Sequence, residues 1–138
     1  YGALAIGFSL LIRVGALASL TACSGALVLI ALAAASRGAM PAALHLLPAA
    51  RVDGLGRAAG QTGGARVLIA LALAGAALLP FGPRFALLTG ALMAGAALAL
   101  GLLALRRIGG QTGDVLGAMQ QVSELVGWLA LSAFLTRA

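Results

Sequence analysis

Long apolar runs, interrupted only by isolated charges, constrain the fold of this chain more than any other feature. Of its 138 residues, 62% are hydrophobic and only 9% are charged, and the mean hydropathy is +1.11. A water-soluble domain needs far more charge to cover its surface, so this composition indicates a lipid environment. In lipid, backbone N–H and C=O groups must be paired within the chain, which allows helices or a closed barrel. Alternating apolar and polar residues are absent while Ala, Leu and Gly dominate, so we predict helices.

Five apolar segments predict an all-α, polytopic integral membrane protein with about five transmembrane helices. The segments cover approximately residues 1–22, 25–47, 67–79, 85–105 and 114–135. The third is short for a membrane span, so we expect it to extend into its flanks. Pro80, Gly82 and Pro83 predict a tight turn after it, because proline cannot continue a helix. Residues 1–138 together are predicted to form a single helical membrane domain.

The distribution of arginine predicts the orientation in the membrane. The chain contains no lysine, and its net charge of +6 comes from arginine alone. With five spans, the two glycine-rich loops lie on the same side and hold five arginines, against two on the opposite side. The positive-inside rule therefore places both loops in the cytoplasm, for a multi-pass protein of the inner (plasma) membrane. Because the arginines border apolar runs without interleaved aromatic residues, we predict contact with the lipid bilayer and no nucleic-acid partner.

A tetrapeptide, Gly-Gln-Thr-Gly, occurs at residues 60–63 and again at 110–113. Each copy lies beside arginine and at a predicted helix start. Glycine leaves backbone N–H groups accessible, threonine can cap the following helix, and a helix N-terminus favours an anion. Two such sites would suit phosphate groups. The alternative is a pair of ordinary capped turns.

Charged residues inside the apolar segments are further candidates. Asp114 and Glu124 both fall on the fifth segment, on one broad helical face with Gln121. An ionised carboxylate inside a membrane is costly, so we predict functional roles for both acids. The alternatives are a charge that complements the helix dipole at Asp114, and an ion pair of Glu124 with Arg13 or Arg37. Of these two arginines, Arg13 is predicted to be structural and Arg37 to contact phosphate.

Residues 106–124 carry a resemblance to a known family. They read Arg-Arg-Ile-Gly-Gly-Gln-Thr-Gly-Asp-Val-Leu-Gly-Ala-Met-Gln-Gln-Val-Ser-Glu. This run resembles the C-terminal signature of the cobalamin synthase (adenosylcobinamide-GDP ribazoletransferase) family, in which Gly-Gly-x-Thr-Gly-Asp-x-Leu-Gly-Ala is followed by a later glutamate. Ser36-Arg37, the stretch 51–56 and Tyr1-Gly2 are similar to further landmarks of that family, so the resemblance covers the whole chain.

The resemblance implies an enzyme of the last steps of cobalamin (vitamin B12) biosynthesis. This Mg²⁺-dependent transferase would join adenosylcobinamide-GDP to α-ribazole, or to its 5′-phosphate, with release of GMP. On both grounds we predict catalytic roles for Asp114 and Glu124. The predicted substrate-binding residues are Arg37, Arg51, Asp53, Arg106, Arg107, Gly110, Thr112 and Gly113. The alternative is a non-catalytic helical membrane subunit or a transporter fragment, and a homo-oligomer is left open.

One departure from the family pattern concerns the metal. The family carries an Asp-rich metal-binding motif in its N-terminal part, which would lie upstream of Tyr1. We therefore expect this chain to be a fragment that lacks that part and holds half of an active site. The remaining acids, Asp53, Asp114 and Glu124, make a poor metal cage by themselves, so the metal ligands are left unknown.

Overall fold

The computed structural model describes residues 2–50 and 62–135, and the regular elements within them are helical. In chain order the helices are α1 (Gly2–Ala18), α2 (Ala22–Arg37), α3 (Ala39–Leu46), α4 (Gly64–Leu78), α5 (Pro83–Ile108) and α6 (Gly113–Leu135). A short 3-10 helix, Leu79–Phe81, joins α4 to α5. The predicted all-α fold is confirmed for these residues.

Three helical stretches in the described ranges are long and apolar enough to cross a membrane. They are Cys23–Leu46, Gly64–Phe81 and Pro83–Ile108. Helix α1 is apolar but has only 17 residues, whereas α6 has 23 residues and carries two acids. The chain is thus an all-α membrane protein that passes the membrane several times, and the count of five spans stays a prediction.

The second predicted segment is divided into two helices, α2 and α3, which meet at Gly38. Pro41 has no backbone N–H and cannot donate a hydrogen bond to the carbonyl of Arg37, four residues earlier. A side chain at Gly38 would bring its Cβ within 2.6 Å of the Cβ of Ala74. The junction of α2 and α3 therefore packs closely on α4.

The predicted turn at residues 80–83 is confirmed. After the 3-10 helix, Gly82 has φ +98°, a backbone conformation that glycine adopts with little strain. Pro83 is the first residue of α5, where its missing N–H would have had no partner within the helix. The third predicted segment extends into its flanks, as expected: α4 begins at Gly64, and with the 3-10 helix it reaches the length of a span.

The core lies between α2, α4, α5 and α6, and α1 packs on α6. Trp128 of α6 is fully buried together with Leu32 and Leu78. A side chain at Gly127 would bring its Cβ within 2.7 Å of Leu32, so glycine allows α2 to approach α6 closely. Large apolar side chains such as Leu87 remain exposed on the outer faces, which suits contact with lipid tails.

Four chain segments meet at one end of the helix bundle, which we call the loop end. Here α3 and α5 end, and α4 and α6 begin. The Nδ1 atom of His45, in the last turn of α3, lies 2.7 Å from the carbonyl oxygen of Thr62, just before α4. Beyond α3, Ala49 pairs with Gln111 in the loop between α5 and α6. The helices that follow the two Gly-Gln-Thr-Gly copies therefore start at the same end of the bundle.

Candidate functional site

Backbone contacts on two sides hold the loop between α5 and α6, residues 109–112. Gly109 ends α5 with φ +79°, a left-handed conformation that favours glycine. The N–H of Gln111 donates to the carbonyl oxygen of Pro48 at 2.8 Å, and the N–H of Ala50 donates to the carbonyl oxygen of Gln111 at 2.9 Å. These two hydrogen bonds fix the α5–α6 loop against the segment that follows α3.

Gly110 lies in this loop, where a side chain has no room. The residue is buried, and a Cβ added to it would overlap the carbonyl oxygen of Pro48 and lie 3.1 Å from the nitrogen of Ala50. Both neighbours are backbone atoms of a segment that two hydrogen bonds hold to Gln111. Neither atom can therefore move aside as the end of a flexible side chain could. The close approach of two chain segments therefore requires glycine at this predicted substrate-binding position, whether or not a ligand is bound.

Gly110→Ala is expected to destabilise the folded protein by about 1–3 kcal/mol, because the loop must separate from Pro48 to make room for the methyl group. The free energy of unfolding in detergent micelles would measure the loss. Gly117→Ala is a matched control, since a Cβ at Gly117 meets no atom within 4 Å. Equal effects of the two substitutions would contradict the proposed overlap.

The two Gly-Gln-Thr-Gly copies begin their helices differently. The hydroxyl oxygen of Thr112 accepts a hydrogen bond from the N–H of Val115 at 3.3 Å, and its carbonyl oxygen accepts one from the N–H of Leu116 at 3.0 Å. Thr112 therefore caps α6, as predicted. In the first copy Gly63 precedes α4 and no side chain caps the helix. Residues 60 and 61 of that copy lie outside the described residues.

Three charged side chains flank the α5–α6 loop. Arg106 and Arg107 lie in the last turn of α5, and Asp114 lies in the first turn of α6. All three are exposed, and none forms an ion pair with another residue of the described ranges. Arginines and the N–H groups of a helix start favour a phosphate, while a carboxylate beside them can accept a hydrogen bond. This part of the loop end is the best candidate for a phosphate-binding site.

Glu124 lies deeper in α6 and takes part in a polar network with α1 and α2. One of its carboxylate oxygens is 3.5 Å from the guanidinium of Arg13. The other accepts a hydrogen bond from the side-chain amide of Gln120 at 2.8 Å and one from the hydroxyl of Ser36 at 3.5 Å. The side chain of Gln121 accepts a hydrogen bond from Arg13 at 2.6 Å. Of the two arginine partners that the sequence left open for Glu124, the structure selects Arg13.

The two predicted catalytic acids do not share one site. Ten residues separate Asp114 from Glu124, which is about 15 Å along α6 at 1.5 Å per residue. Ligands of one divalent cation lie within about 2.6 Å of it, so these two carboxylates cannot bind the same ion. Residues 2–50 and 62–135 contain no group of three or more His, Cys, Asp or Glu that could hold a metal. The described residues therefore contain no cluster of acids that could hold a metal ion by itself.

An apolar cavity of about 300 Å³ lies between α2, α3, α4, α5 and α6. Alanine, glycine, leucine and methionine line most of it, and Ser36 and Ser123 are its polar lining residues. The hydroxyl of Ser123 donates to the carbonyl oxygen of Met93, and Ser36 belongs to the network of Glu124. Because no charged side chain lines the cavity, it does not suit a phosphate.

The structure gathers some of the predicted site residues and separates others. It brings to the loop end Arg106, Arg107, Gly110, Thr112, Gly113 and Asp114. Glu124 lies deeper in the bundle, and Arg37 ends α2 next to Gly38, where its guanidinium donates to the carbonyl oxygen of Ala33 at 2.7 Å. Arg51 and Asp53 lie outside the described residues, so their roles stay predictions.

Sequence analysis missed Ser36 and Gln120 as members of the network around Glu124. Both are buried polar side chains within apolar segments, with exposed fractions of 0% and 8%. An unpaired polar group in a membrane span is costly, so such residues indicate an interior contact. Gln120 also lies one helical turn before Glu124, at the spacing where side chains meet. Applied to every polar residue of the spans, this signal could have found both.

The chain is similar in sequence to known proteins of one family. The cobalamin-5-phosphate synthase family matches residues 1–132. An adenosylcobinamide-GDP ribazoletransferase of Mesorhizobium japonicum is 48% identical over 99% of this chain and 53% of its own length. Proteins of the same name from Bradyrhizobium diazoefficiens and Azorhizobium caulinodans are 44% and 46% identical, over 97% and 91% of this chain and 52% and 50% of their own lengths. The chain thus spans about half the length of the curated relatives it matches. No solved structure matches it.

Proposed function

This chain belongs to the cobalamin-5-phosphate synthase family, and from that premise we propose that it forms part of the active site of an adenosylcobinamide-GDP ribazoletransferase. The observation that carries the proposal is the α5–α6 loop. It is fixed by the bridge to Pro48 and Ala50, and the exposed charges of Arg106, Arg107 and Asp114 flank it without ion pairs to other described residues. A rigid loop with unpaired charges of both signs suits a phosphate and an attacking hydroxyl.

The proposed reaction is a phosphoryl transfer in the last steps of cobalamin biosynthesis. A ribose hydroxyl of α-ribazole, or of its 5′-phosphate, attacks the phosphorus that joins cobinamide to GMP within adenosylcobinamide-GDP. A new P–O bond forms, the bond from this phosphorus to the bridging oxygen breaks, and GMP leaves with that oxygen. The hydroxyl loses its proton, and the product is adenosylcobalamin or its phosphate. Such a step depends on positioning and on neutralising charge more than on covalent catalysis.

Each residue at the loop end has a proposed part in this step. Arg106 and Arg107 neutralise the negative charge of the diphosphate. Backbone N–H groups at the start of α6, with Thr112 and Gly113, bind phosphate oxygens. Asp114 accepts a hydrogen bond from the attacking hydroxyl and orients it. Gly110 allows the loop to pack closely enough to hold this arrangement.

The remaining predicted residues lie deeper in the bundle or outside the described residues. Arg51 and Asp53 follow the Pro48–Ala50 segment in sequence, and we propose that they bind substrate. A catalytic role for Glu124 stays a prediction beside its ion pair with Arg13. A substrate contact at Arg37 also stays a prediction, and the position of this residue favours another role, argued below.

We propose that the reaction depends on Mg²⁺, because transfer from a diphosphate benefits from a cation that neutralises the developing charge. The residues present in the described ranges do not fit such a site, since Glu124 is bound to Arg13 and Asp114 lies about 15 Å away along α6. We therefore assign no step to the metal. Its ligands would come from other residues of the full-length protein.

We propose that the loop end faces the cytoplasm across the inner (plasma) membrane, because the predicted five-span topology assigns five arginines to this side and two to the other. In a Cys23→Ser background, Gly64→Cys and Ile108→Cys should resist an impermeant maleimide added outside the cell and react after permeabilisation. Both positions are exposed, whereas Gln111 is buried and unsuitable for labelling. Labelling of only one position from outside would show that the span count is wrong by one.

The proposed function is tested by assaying the full-length protein with adenosylcobinamide-GDP, α-ribazole and Mg²⁺. We expect GMP and adenosylcobalamin to form in equal amounts. Residues 1–138 alone should form neither above background, because they lack the Asp-rich motif that the family resemblance implies, and their described part contains no cluster of acids that could replace it. No product from the full-length protein would favour the alternative of a non-catalytic membrane subunit or a transporter fragment. Full turnover by residues 1–138 would show that they hold every catalytic group.

A further inference from the structure

Arg37 lies at mid-depth in a membrane span. It comes 14 residues after Cys23 and nine residues before Leu46, the ends of an apolar stretch of 24 residues. At 1.5 Å per residue these separations are about 21 Å and 14 Å. The neighbouring Gly38 packs on Ala74, ten residues after the start of α4, so the same depth is central in a second span.

The side chain of Arg37 is directed away from the core of the bundle. Val28 and Leu32 are buried and mark the inner face of α2. At 100° per residue Arg37 lies about 180° from Val28 and about 20° from Ile30, which is 65% exposed. Its guanidinium donates to the carbonyl oxygen of Ala33, one turn back toward the start of α2. The charge therefore does not extend toward the nearer membrane surface at Leu46.

An outward charge at this depth conflicts with a lipid-facing surface. Ionised residues within spans almost always face protein or a water-filled cavity and pair with an opposite charge. Neither acid of the described residues forms an ion pair with Arg37, since Glu124 pairs with Arg13 and Asp114 lies at the loop end. In a second copy of this chain Glu124 would lie near the required depth, but it is buried and already paired with Arg13.

We propose that the outer face of α2, formed by Ala26, Ile30, Ala34 and Arg37, is a docking surface for another transmembrane helix of the full-length protein. That helix places an Asp or Glu opposite Arg37 at mid-depth. The two alanines allow the helix backbones to approach closely, as small residues do in membranes. This chain covers 53% of its Mesorhizobium japonicum relative, so a full-length protein has the length to supply the helix. The inference rests on family membership and is independent of the proposed activity.

Spin labels on the outer face of α2 can show whether another helix, lipid or water contacts this face. The full-length protein carrying Cys23→Ser and Ala34→Cys would be labelled with a nitroxide in liposomes. We expect low collision rates of the label with both oxygen, which concentrates in lipid, and a water-soluble nickel chelate. Ala99→Cys, at an exposed position in the middle of α5, is the control and should show a severalfold higher collision rate with oxygen.

High oxygen collision at Ala34 would mean that lipid covers this face. High nickel collision would mean that a water-filled substrate path reaches it. Either result would overturn the proposal.

Substitutions of Arg37 test the charge pair itself. Arg37→Leu should lower the melting temperature of the full-length protein, because it leaves a buried carboxylate unpaired, and Arg37→Lys should restore most of the loss. The KM for adenosylcobinamide-GDP is measured at temperatures where the variants are folded. A raised KM with an unchanged melting temperature would instead identify Arg37 as a substrate contact. If Arg37→Leu fails to fold, the spin-label comparison in the presence of Arg37 still decides the question.

Discussion

Replacing Arg13 with methionine is expected to destabilise the folded protein by about 3–5 kcal/mol, because it leaves Glu124 as an unpaired charge in the interior of the bundle. The side chain of Glu124 is 10% exposed, and Arg13 is its one cationic partner among the described residues. Arg13 also donates to Gln121, so the substitution removes two contacts between α1 and α6. The free energy of unfolding in mixed micelles, compared with the unsubstituted protein, measures the effect.

Two further variants show whether the ion pair is the cause. Arg66→Met removes an exposed arginine at the start of α4 and should change the free energy of unfolding little. The double variant Arg13→Met, Glu124→Gln removes both charges and should recover much of the loss. If the double variant folds well but lacks transferase activity, Glu124 has a role beyond the pair. A loss for Arg13→Met no larger than that for Arg66→Met would contradict the prediction.

Asp114→Asn is expected to lower the rate of the full-length enzyme on the order of a hundredfold or more, while the fold stays nearly unchanged. Asp114 lies in the first turn of α6, beside the fixed α5–α6 loop, and makes no ion pair with a described residue. Its part in stability is then limited to the helix dipole, about 0.3–1 kcal/mol. An isosteric amide keeps the shape of the side chain but is a weaker acceptor for the attacking hydroxyl.

Turnover, melting temperature and the yield of detergent-solubilised protein are each measured for the Asp114→Asn variant and for the unsubstituted enzyme. Near-normal turnover in a well-folded Asp114→Asn variant would exclude a catalytic role for this acid. Loss of folding would support the alternative, in which Asp114 only complements the dipole of α6. Gly117→Ala, one turn further along α6 and outside the proposed machinery, should leave both turnover and melting temperature near those of the unsubstituted enzyme.

Much of the site could be predicted because its residues lie close together in sequence. Arg106, Arg107, Gly110, Thr112 and Asp114 fall within nine consecutive residues, so one turn between two helices brings them to the same end of the bundle. The cap at Thr112 is a local hydrogen bond, which the residue types indicate. The requirement for glycine at position 110 could not be predicted, because it depends on Pro48, which is distant in sequence.

The sequence by itself determined that this chain is a helical membrane protein of the cobalamin-5-phosphate synthase family. Lipid offers no partners to the backbone, so apolar composition alone selects helices, and proline and glycine mark the turn before α5. Only the tertiary structure decided that Glu124 pairs with Arg13 and that Arg37 faces outward. Both arginines lie within apolar spans, and their separation in sequence from Glu124 says nothing about which helix faces meet. That choice depends on side-chain packing among helices, such as the close approach of α2 to α4 at Gly38, which no local pattern specifies.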